Sequence, residues 1–359
     1  RLVSDWSSDV CSSDLAKLTH SLQEAAQSGA ALPDWVAGID SSTLVVIDEA
    51  GMADTLSLDA AVAFILERGG SVRLIGDDQQ LSAIGAGGVL RDLQATHGAL
   101  QLTELVRFKD PAEGAASLAL REGKTEALGF YLDRDRVHVG DLATMTEDVF
   151  AAWQADRAEG LDAIMLAPTR DLVSELNQQA RAHRLDGVDP AAVGPTRRLA
   201  DGNEASVGEL IITRENDRRL RTSATDWVKN GDRWSVLEIH DGGDLTVQHT
   251  RHGRTVRLPS DYVSKATELG YACTVHTAQG VTADSMHGLA TGTESRQQLY
   301  TMMTRGALAN HVYLEVVGDG DPHSVIHPTL VRPLTSTDIL ESMLARDDAP
   351  RSATSLIRE

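Results

Sequence analysis

An α/β protein built on parallel sheet, with a small all-β insertion in its second half, is the fold class that the sequence predicts. Three observations predict it. Short, largely apolar runs recur, TLVVI at 43–47, VRLI at 72–75 and AIML at 163–166, and a continuous run such as the first belongs to a strand buried on both faces of a parallel sheet. A helical stretch separates the first two runs, so strand, helix and strand follow one another between 43 and 75 as a βαβ unit does. Between 208 and 262 the texture changes to short alternating strands punctuated by Asn230-Gly231 and by Asp241-Gly242-Gly243, the mark of antiparallel hairpins.

The elements follow in order. Residues 1–15, RLVSDWSSDVCSSDL, are rich in Ser and Asp and lack any period. They read as a foreign-looking or disordered leader, similar to translated sequencing-adapter read-through, with the natural start of the domain lying upstream. A helix is expected over 16–27, then a loop with Pro33 and the strand 43–47. A helix over 56–68 is stopped by Gly69 and Gly70, and the strand 72–75 ends in Gly76-Asp77. Helices over 89–96, 112–121 and 145–157 precede the strand 163–166 and a helix over 171–183. Pro168-Thr169-Arg170 places polar groups at the carboxyl edge of that strand, where open α/β sheets bind ligands. The insertion carries strands at 209–213, 233–239, 245–249 and 255–258, and the runs 271–275 and 312–317 return to parallel-sheet style. A tail helix is expected over 335–346, with Thr335 and Asp338 at its start.

Composition narrows the function. With 42% hydrophobic and 24% charged residues among 359, the chain is an ordinary globular one of two or three domains. No run approaches the roughly 18 apolar residues of a membrane span, so a soluble, cytoplasmic protein without membrane insertion is expected. Cys11 and Cys273 are too few for a disulfide framework or a four-ligand zinc site. The net charge of −20 argues against whole-surface capture of nucleic acid. A local basic path is still open, because 197–257 holds eleven Lys and Arg against ten Asp and Glu.

The chemistry is concentrated in a few segments. TLVVIDEAG at 43–51 delivers Asp48 and Glu49 to a strand's carboxyl edge, where one acid can hold Mg2+ and the other can orient or deprotonate a water. The bland alternative is a strand that leaves the core through two acids. GDDQQL at 76–81 places Gln80 on the neighbouring strand end, able to touch a terminal phosphate and its attacking water, or to belong to a solvated turn. Gly123-Lys124-Thr125 mimics the end of a phosphate loop, but the pattern GxxxxGK[ST] needs glycine where Leu118 stands. A helix C-terminal glycine followed by a solvated lysine is the better reading.

VVIDEAGM, GDDQQL, LTELVRF, HTAQGVT and LYTMMTRG, in that order, resemble successive motifs of superfamily 1 helicases of the RecD-like branch, above all the helicase region of conjugative relaxases. The resemblance runs from about residue 16 to the end. It implies two RecA-like P-loop NTPase domains, the first truncated and lacking its phosphate loop, with an SH3-like β insertion in the second. The expected boundaries are 16–122 for the first domain, 123–207 with 263–320 for the second, 208–262 for the insertion and 321–359 for the tail.

By the same resemblance the cofactors are ATP and Mg2+, bound weakly or not at all without the loop. Asp48 would be the metal ligand, Glu49 the catalytic base and Gln80 the γ-phosphate sensor. Arg107 and Arg305 would supply charge to the transferring phosphoryl group, Arg305 as a finger from the second domain. Thr274, His276, Gln279 and Thr282 would contact the nucleic-acid backbone, with Gly280 allowing close approach; alone, His276 also fits a structural histidine. Arg214, Arg218, Arg219, Arg221 and Lys229, interleaved with Trp227 and Trp234, could line a single-strand path, or the tryptophans could fill a barrel core. Single-stranded DNA and, by family analogy, relaxosome proteins are the implied partners. No His-x-His spacing of a nicking domain occurs. Two functions stay open: an ATP-dependent DNA translocase segment incomplete for catalysis, and a non-enzymatic module that binds single-stranded DNA or a partner on a helicase scaffold.

Overall fold

The computed structural model describes residues 12–77, 79, 88–102, 105–189, 192–224, 226–316 and 334–348. The chain divides into two compact units, one within 1–103 and 348–359 and one within 104–347.

In the first unit, helix α1 (Ser12–Ser28) buries Leu15 and Leu18 in a core with Val36, Ile47, Leu58 and Ala61. It starts before residue 16, so the last residues of the expected leader are helical and Leu15 is packed. Strand β1 (Leu44–Ile47) leads through a 3-10 turn to helix α2 (Thr55–Glu67), whose inward residues Leu58, Ala61 and Ile65 recur at helical spacing. Asp54 caps α2 by accepting from Ser57 N at 2.9 Å. Gly69 ends it in the left-handed conformation, φ 79°. Strand β2 (Ser71–Leu74) pairs parallel to β1, and helix α3 (Val89–His97) follows.

β1 corrects one expectation. Its run is not buried on both faces: Val45 and Ile47 pack on the helices, whereas Leu44 and Val46 are 56% and 43% exposed. They lie opposite Ser71 and Arg73 on the outer face of a sheet that has two strands among the described residues.

The second unit opens with helices α4 (Pro111–Arg121) and α5 (Glu126–Asp133). α4 packs on α5 within this unit, so residues 111–121, expected with the first domain, lie in the second unit. At the end of α4, Gly123 takes φ 71° and Lys124 pairs with Glu122 at 2.5 Å, a helix terminus in place of a phosphate loop. Strand β3 (Val137–Gly140), helix α6 (Leu142–Ala158), strand β4 (Ala163–Ala167) and helix α7 (Arg170–Leu185) come next. All five residues of β4 are buried, as its apolar run requires. Thr169 serves as the N-cap of α7, accepting from Leu172 N.

The insertion forms a five-stranded antiparallel sheet from β5 (Leu210–Thr213), β6 (Arg233–Ile239), β7 (Leu245–His249), β8 (Thr255–Leu258) and β9 (Thr267–Leu269), in the order β8-β7-β6-β5-β9, with β9 beyond the expected boundary at 262, and a two-stranded ribbon from Asp217–Arg221 and Trp227–Val228. The chain then returns to the parallel sheet through β10 (Ala272–Thr274), β11 (Ala283–Ala290), helix α8 (Arg296–Met302) and β12 (Gly306–Glu315). The parallel order is β10-β4-β11-β12-β3. β11, which has no apolar run, is its central strand, and β12 begins at Gly306, before the 312–317 expected. Helix α9 (Ser336–Ala345) starts with a reciprocal cap between Thr335 and Asp338.

The two five-stranded sheets of this unit share a core. Trp153, Met165 and Leu176 belong to one apolar cluster with Ile211, Trp234 and Val247. Polar ties reinforce the seam: Arg233, 3% exposed, pairs with Asp162 at 2.5 Å, and fully buried Glu209 receives Arg181, Arg184 and the Tyr271 hydroxyl. Buried charges stay only where partners replace water, so these pairs fix how the insertion docks on α7 and the parallel sheet. No helix among the described residues is long and apolar enough to cross a membrane.

Candidate nucleotide and nucleic-acid sites

In the first unit the acidic pair emerges at the carboxyl end of β1. Asp48 is exposed, and its Oδ1 accepts from Glu49 N at 2.9 Å. Glu49 is half-buried and adopts φ 52°, ψ 34°. A non-glycine residue in that region is strained by about 1–3 kcal/mol, and such residues concentrate where geometry serves a site. The turn starts the 3-10 helix Ala50–Met52 and sends the chain back across β2.

Two glycines let the ends of β1 and β2 close on one another. A Cβ on Gly51 would lie 2.9 Å from Asp77 O, and one on Gly76 would lie 2.9 Å from Gly51 N. Ala50 N donates to Ile75 O at 2.8 Å across the same gap. The DEAG and GDD segments therefore adjoin, as two neighbouring parallel strand ends should. Asp77 accepts from Gln79 N at 3.0 Å, and Gln80 lies outside the described residues.

In the second unit three motifs meet at Thr304. Arg107 donates to its carbonyl, and Arg305 Nη2 donates to its hydroxyl at 2.8 Å. Arg305 is 2% exposed and also donates from Nε to Thr301 O at 2.8 Å and from Nη1 to Ala278 O at 3.3 Å. Ala278 belongs to HTAQG, so the LVRF, TAQG and TRG segments form one hydrogen-bonded assembly. It sits at the amino edge of the parallel sheet: Ala283 N, at the start of β11, donates to Arg305 O at 3.0 Å, and Lys109 N donates to Ala307 O at 3.0 Å. Thr301, Thr304 and Ala278 lie in the same sequence motifs, but only the fold shows that their oxygens receive the two guanidinium groups.

The expected nucleic-acid contacts of the TAQG segment follow one another between the ends of β10 and β11. Thr274 ends β10 and bonds Thr277 Oγ1 at 2.9 Å, Gln279 is half-buried, and His276 and Gly280 are exposed, Gly280 with φ 81°. Thr282 lines a polar cleft of about 340 Å³ together with Arg157, Asp162, Thr250, Arg251 and Asp284. Arg157 and Arg251 were not singled out from the sequence.

On the insertion, Arg214 is committed to Glu268 at 2.6 Å, and exposed Arg219 pairs with Asp217 at 2.7 Å. The bonds and charge of Asp217 raise the pKa of Arg219. The Arg218 guanidinium lies 5.1 Å from the centroid of the half-buried Trp227 ring, with Lys229 at 5.9 Å. Trp234 is core, fully buried and donating to Thr213 Oγ1 at 3.2 Å.

A family model described as an AAA domain matches residues 5–142. The conjugal transfer protein TraA of Agrobacterium fabrum is 31% identical over 273 residues, 74% of this chain and 24% of that protein. The ATP-dependent RecD2 DNA helicase of Deinococcus radiodurans is 28% identical over 270 residues, 73% of this chain and 35% of that protein. The chain thus spans about a quarter of the length of the TraA protein it matches. Among solved structures, the Pif1 helicase from Bacteroides in complex with ADP-AlF3 and ssDNA matches with TM-score 0.53 at 15% identity, covering 92% of this chain and 77% of that one. The Pif1 helicase from Candida albicans matches with TM-score 0.51 at 14% identity, covering 85% and 76%. These two likenesses speak for the fold alone, a mixed α/β fold with parallel sheet of the RecA-like helicase kind. Taken with the five ordered motifs, the relatives identify the chain as a superfamily 1 helicase region of the RecD-like branch, related to the conjugal transfer TraA proteins.

Proposed function

We propose that the chain is the motor segment of an ATP-dependent helicase that moves along single-stranded DNA, acting in the cytoplasm with the relaxosome proteins of conjugal transfer. The assembly at Thr304 carries this reading, because it ties two guanidinium groups to the TAQG segment that the family uses on nucleic acid. A change of charge at the arginines is then felt at the nucleic-acid contact through one carbonyl, Ala278 O.

Asp48 is the residue that would hold Mg2+. The donor set fits: Asp48 is an exposed carboxylate at the carboxyl end of β1. That suits an ion which keeps its waters and relies on one or two carboxylates plus substrate phosphates. The bound ion would neutralise charge on the phosphates.

Each residue keeps the role that the family motif gives it: Glu49 as the base for the attacking water and Gln80 as the γ-phosphate sensor in the first unit, Arg107 and Arg305 as sources of positive charge for a phosphoryl group in the second. The long bond of Arg305, 3.3 Å to Ala278 O, is the one that yields to a phosphate oxygen. No GxxxxGK[ST] occurs within the 359 residues, so the chain by itself holds nucleotide weakly. The truncated first RecA-like domain and the SH3-like character of the insertion belong to the same proposal. Single-stranded DNA runs over Thr282, Arg157 and Arg251 in the cleft and over Arg218 and Trp227, with Thr274, His276 and Gln279 beside it. Arg214 and Arg219 support the insertion through their carboxylate partners.

The test uses the protein as its gene encodes it. Glu49→Gln and Arg305→Ala are each expected to lower DNA-stimulated ATP hydrolysis by roughly 10²- to 10³-fold. Undiminished turnover in either variant removes the assignment.

A further inference from the structure

Two buried polar residues that the catalytic roles above leave aside converge behind Arg305. Asn310 on β12 is fully buried, and Glu113 on α4 is 1% exposed. Asn310 Nδ2 donates to Glu113 Oε1 at 2.8 Å and to Gly306 O at 2.9 Å, while its Oδ1 accepts from Gly306 N at 2.7 Å. Asn310 therefore grips both backbone groups of the residue that follows Arg305. Gly306 has no room for a side chain, since a Cβ there would lie 2.1 Å from Ala309 O.

An apolar residue would fill position 310 of an interior strand without desolvation cost. A hydrogen-bonded polar pair instead fixes one backbone arrangement. Glu113 brings a second constraint. Its helix follows directly on the segment in which Arg107 donates to Thr304 O and Lys109 N to Ala307 O. The segment that leads into α4 thus holds Thr304 through Arg107, and α4 itself holds Asn310 through Glu113.

We propose that Glu113 and Asn310 form a clamp that positions Arg107 and Arg305 by fixing the backbone from Thr304 into the irregular start of β12, Gly306 to Ala309. They are positioning residues, acting through Gly306, and the inference rests on the hydrolytic role proposed above. Burial raises the pKa of Glu113, and its oxygen accepts from Asn310 in either protonation state.

In the protein as its gene encodes it, Glu113→Ala and Asn310→Ala are expected to lower kcat for DNA-stimulated hydrolysis roughly 10- to 100-fold with KM for ATP little changed. Glu113→Gln keeps the acceptor and restores kcat. In the 359-residue chain the Arg305 Nε–H signal, assigned by its loss in Arg305→Lys, is expected to stay protected from exchange in Glu113→Gln and to lose protection in Glu113→Ala. Wild-type protein without DNA-stimulated hydrolysis removes the functional reading and leaves the Arg305 signal to judge the clamp. An unchanged kcat, an unmoved Arg305 signal, or a loss of kcat that only tracks the unfolded fraction in a thermal melt overturns it.

Discussion

Two tryptophans of the insertion, equivalent by composition, have opposite surroundings. Trp234 is fully buried, edge-on to His249 at 4.9 Å, while half-buried Trp227 stacks with Arg218. Trp234→Ala is expected to lower stability in a urea melt by about 3–5 kcal/mol through the cavity it leaves. Trp227→Ala is expected to leave the melt nearly unchanged and to weaken single-stranded DNA binding by about 1–3 kcal/mol, the worth of one stacked base. The reverse pattern in titrations of the two variants overturns the placement of the DNA path. Asp48 and Glu49 were legible at this scale because an apolar run ending in two acids is a local pattern. The 2% exposure of Arg305 was not, because its partners Ala278 and Thr301 are set by the packing of the loop before β11 against α8.

The central strand β11 shows why an element can escape a reading based on apolar runs. Ser285 and His287 are buried within it, and Gly288 leaves room for Met302 of α8. His287 is matched by Asp156 of α6 at 2.8 Å and by the Tyr313 hydroxyl of β12 at 3.2 Å. His311 of β12 stacks on His287, bonds His138 of β3 at 3.1 Å and meets Arg136. Burial, with Arg136, His287 and His138 adding to it, pushes the pKa of His311 down to about 3, and His138 and His287 shift in the same direction. The folded state then binds fewer protons than the unfolded chain below the ordinary value of 6.5, so stability is complete above that pH and falls as the pH drops toward about 3. Melting temperature measured across this range is expected to decline steadily, a loss on the order of a few kcal/mol by about pH 4. His311→Gln should flatten the decline, and an equally steep curve in that variant shows that the cluster is not its source.

At the scale of the whole molecule, a net charge of −20 means that any DNA path depends on a few local cations. Arg157 and Arg251 in the cleft and Arg218 over Trp227 are the three proposed here. At about 0.7 released counterions per neutralised phosphate on a single strand, log K against log salt should have a slope of roughly −2. Arg251→Ala should make it shallower by about 0.7. A slope near zero, or one that Arg251→Ala does not change, removes the cleft from the path. The genomic sequence upstream bears on the motor itself, since a GxxxxGK[ST] after a strand would supply the phosphate cradle, and a start codon without one favours a binding module.

The sequence by itself determined the alternation of helices and strands and the order of five motifs that mark the family. Each of these is written in neighbouring residues through period, turn residues and short spacing. Tertiary structure alone decided which polar residues are buried and with whom. Arg107 meets Thr304, and Glu113 meets Asn310, across 197 positions of chain in each case. It also decided that β1 exposes one face, since exposure depends on which layers cover a strand and the strand's own residues do not encode that. A local period reports which face of an element is apolar; only the strand order of the sheet brings distant polar groups within bonding distance.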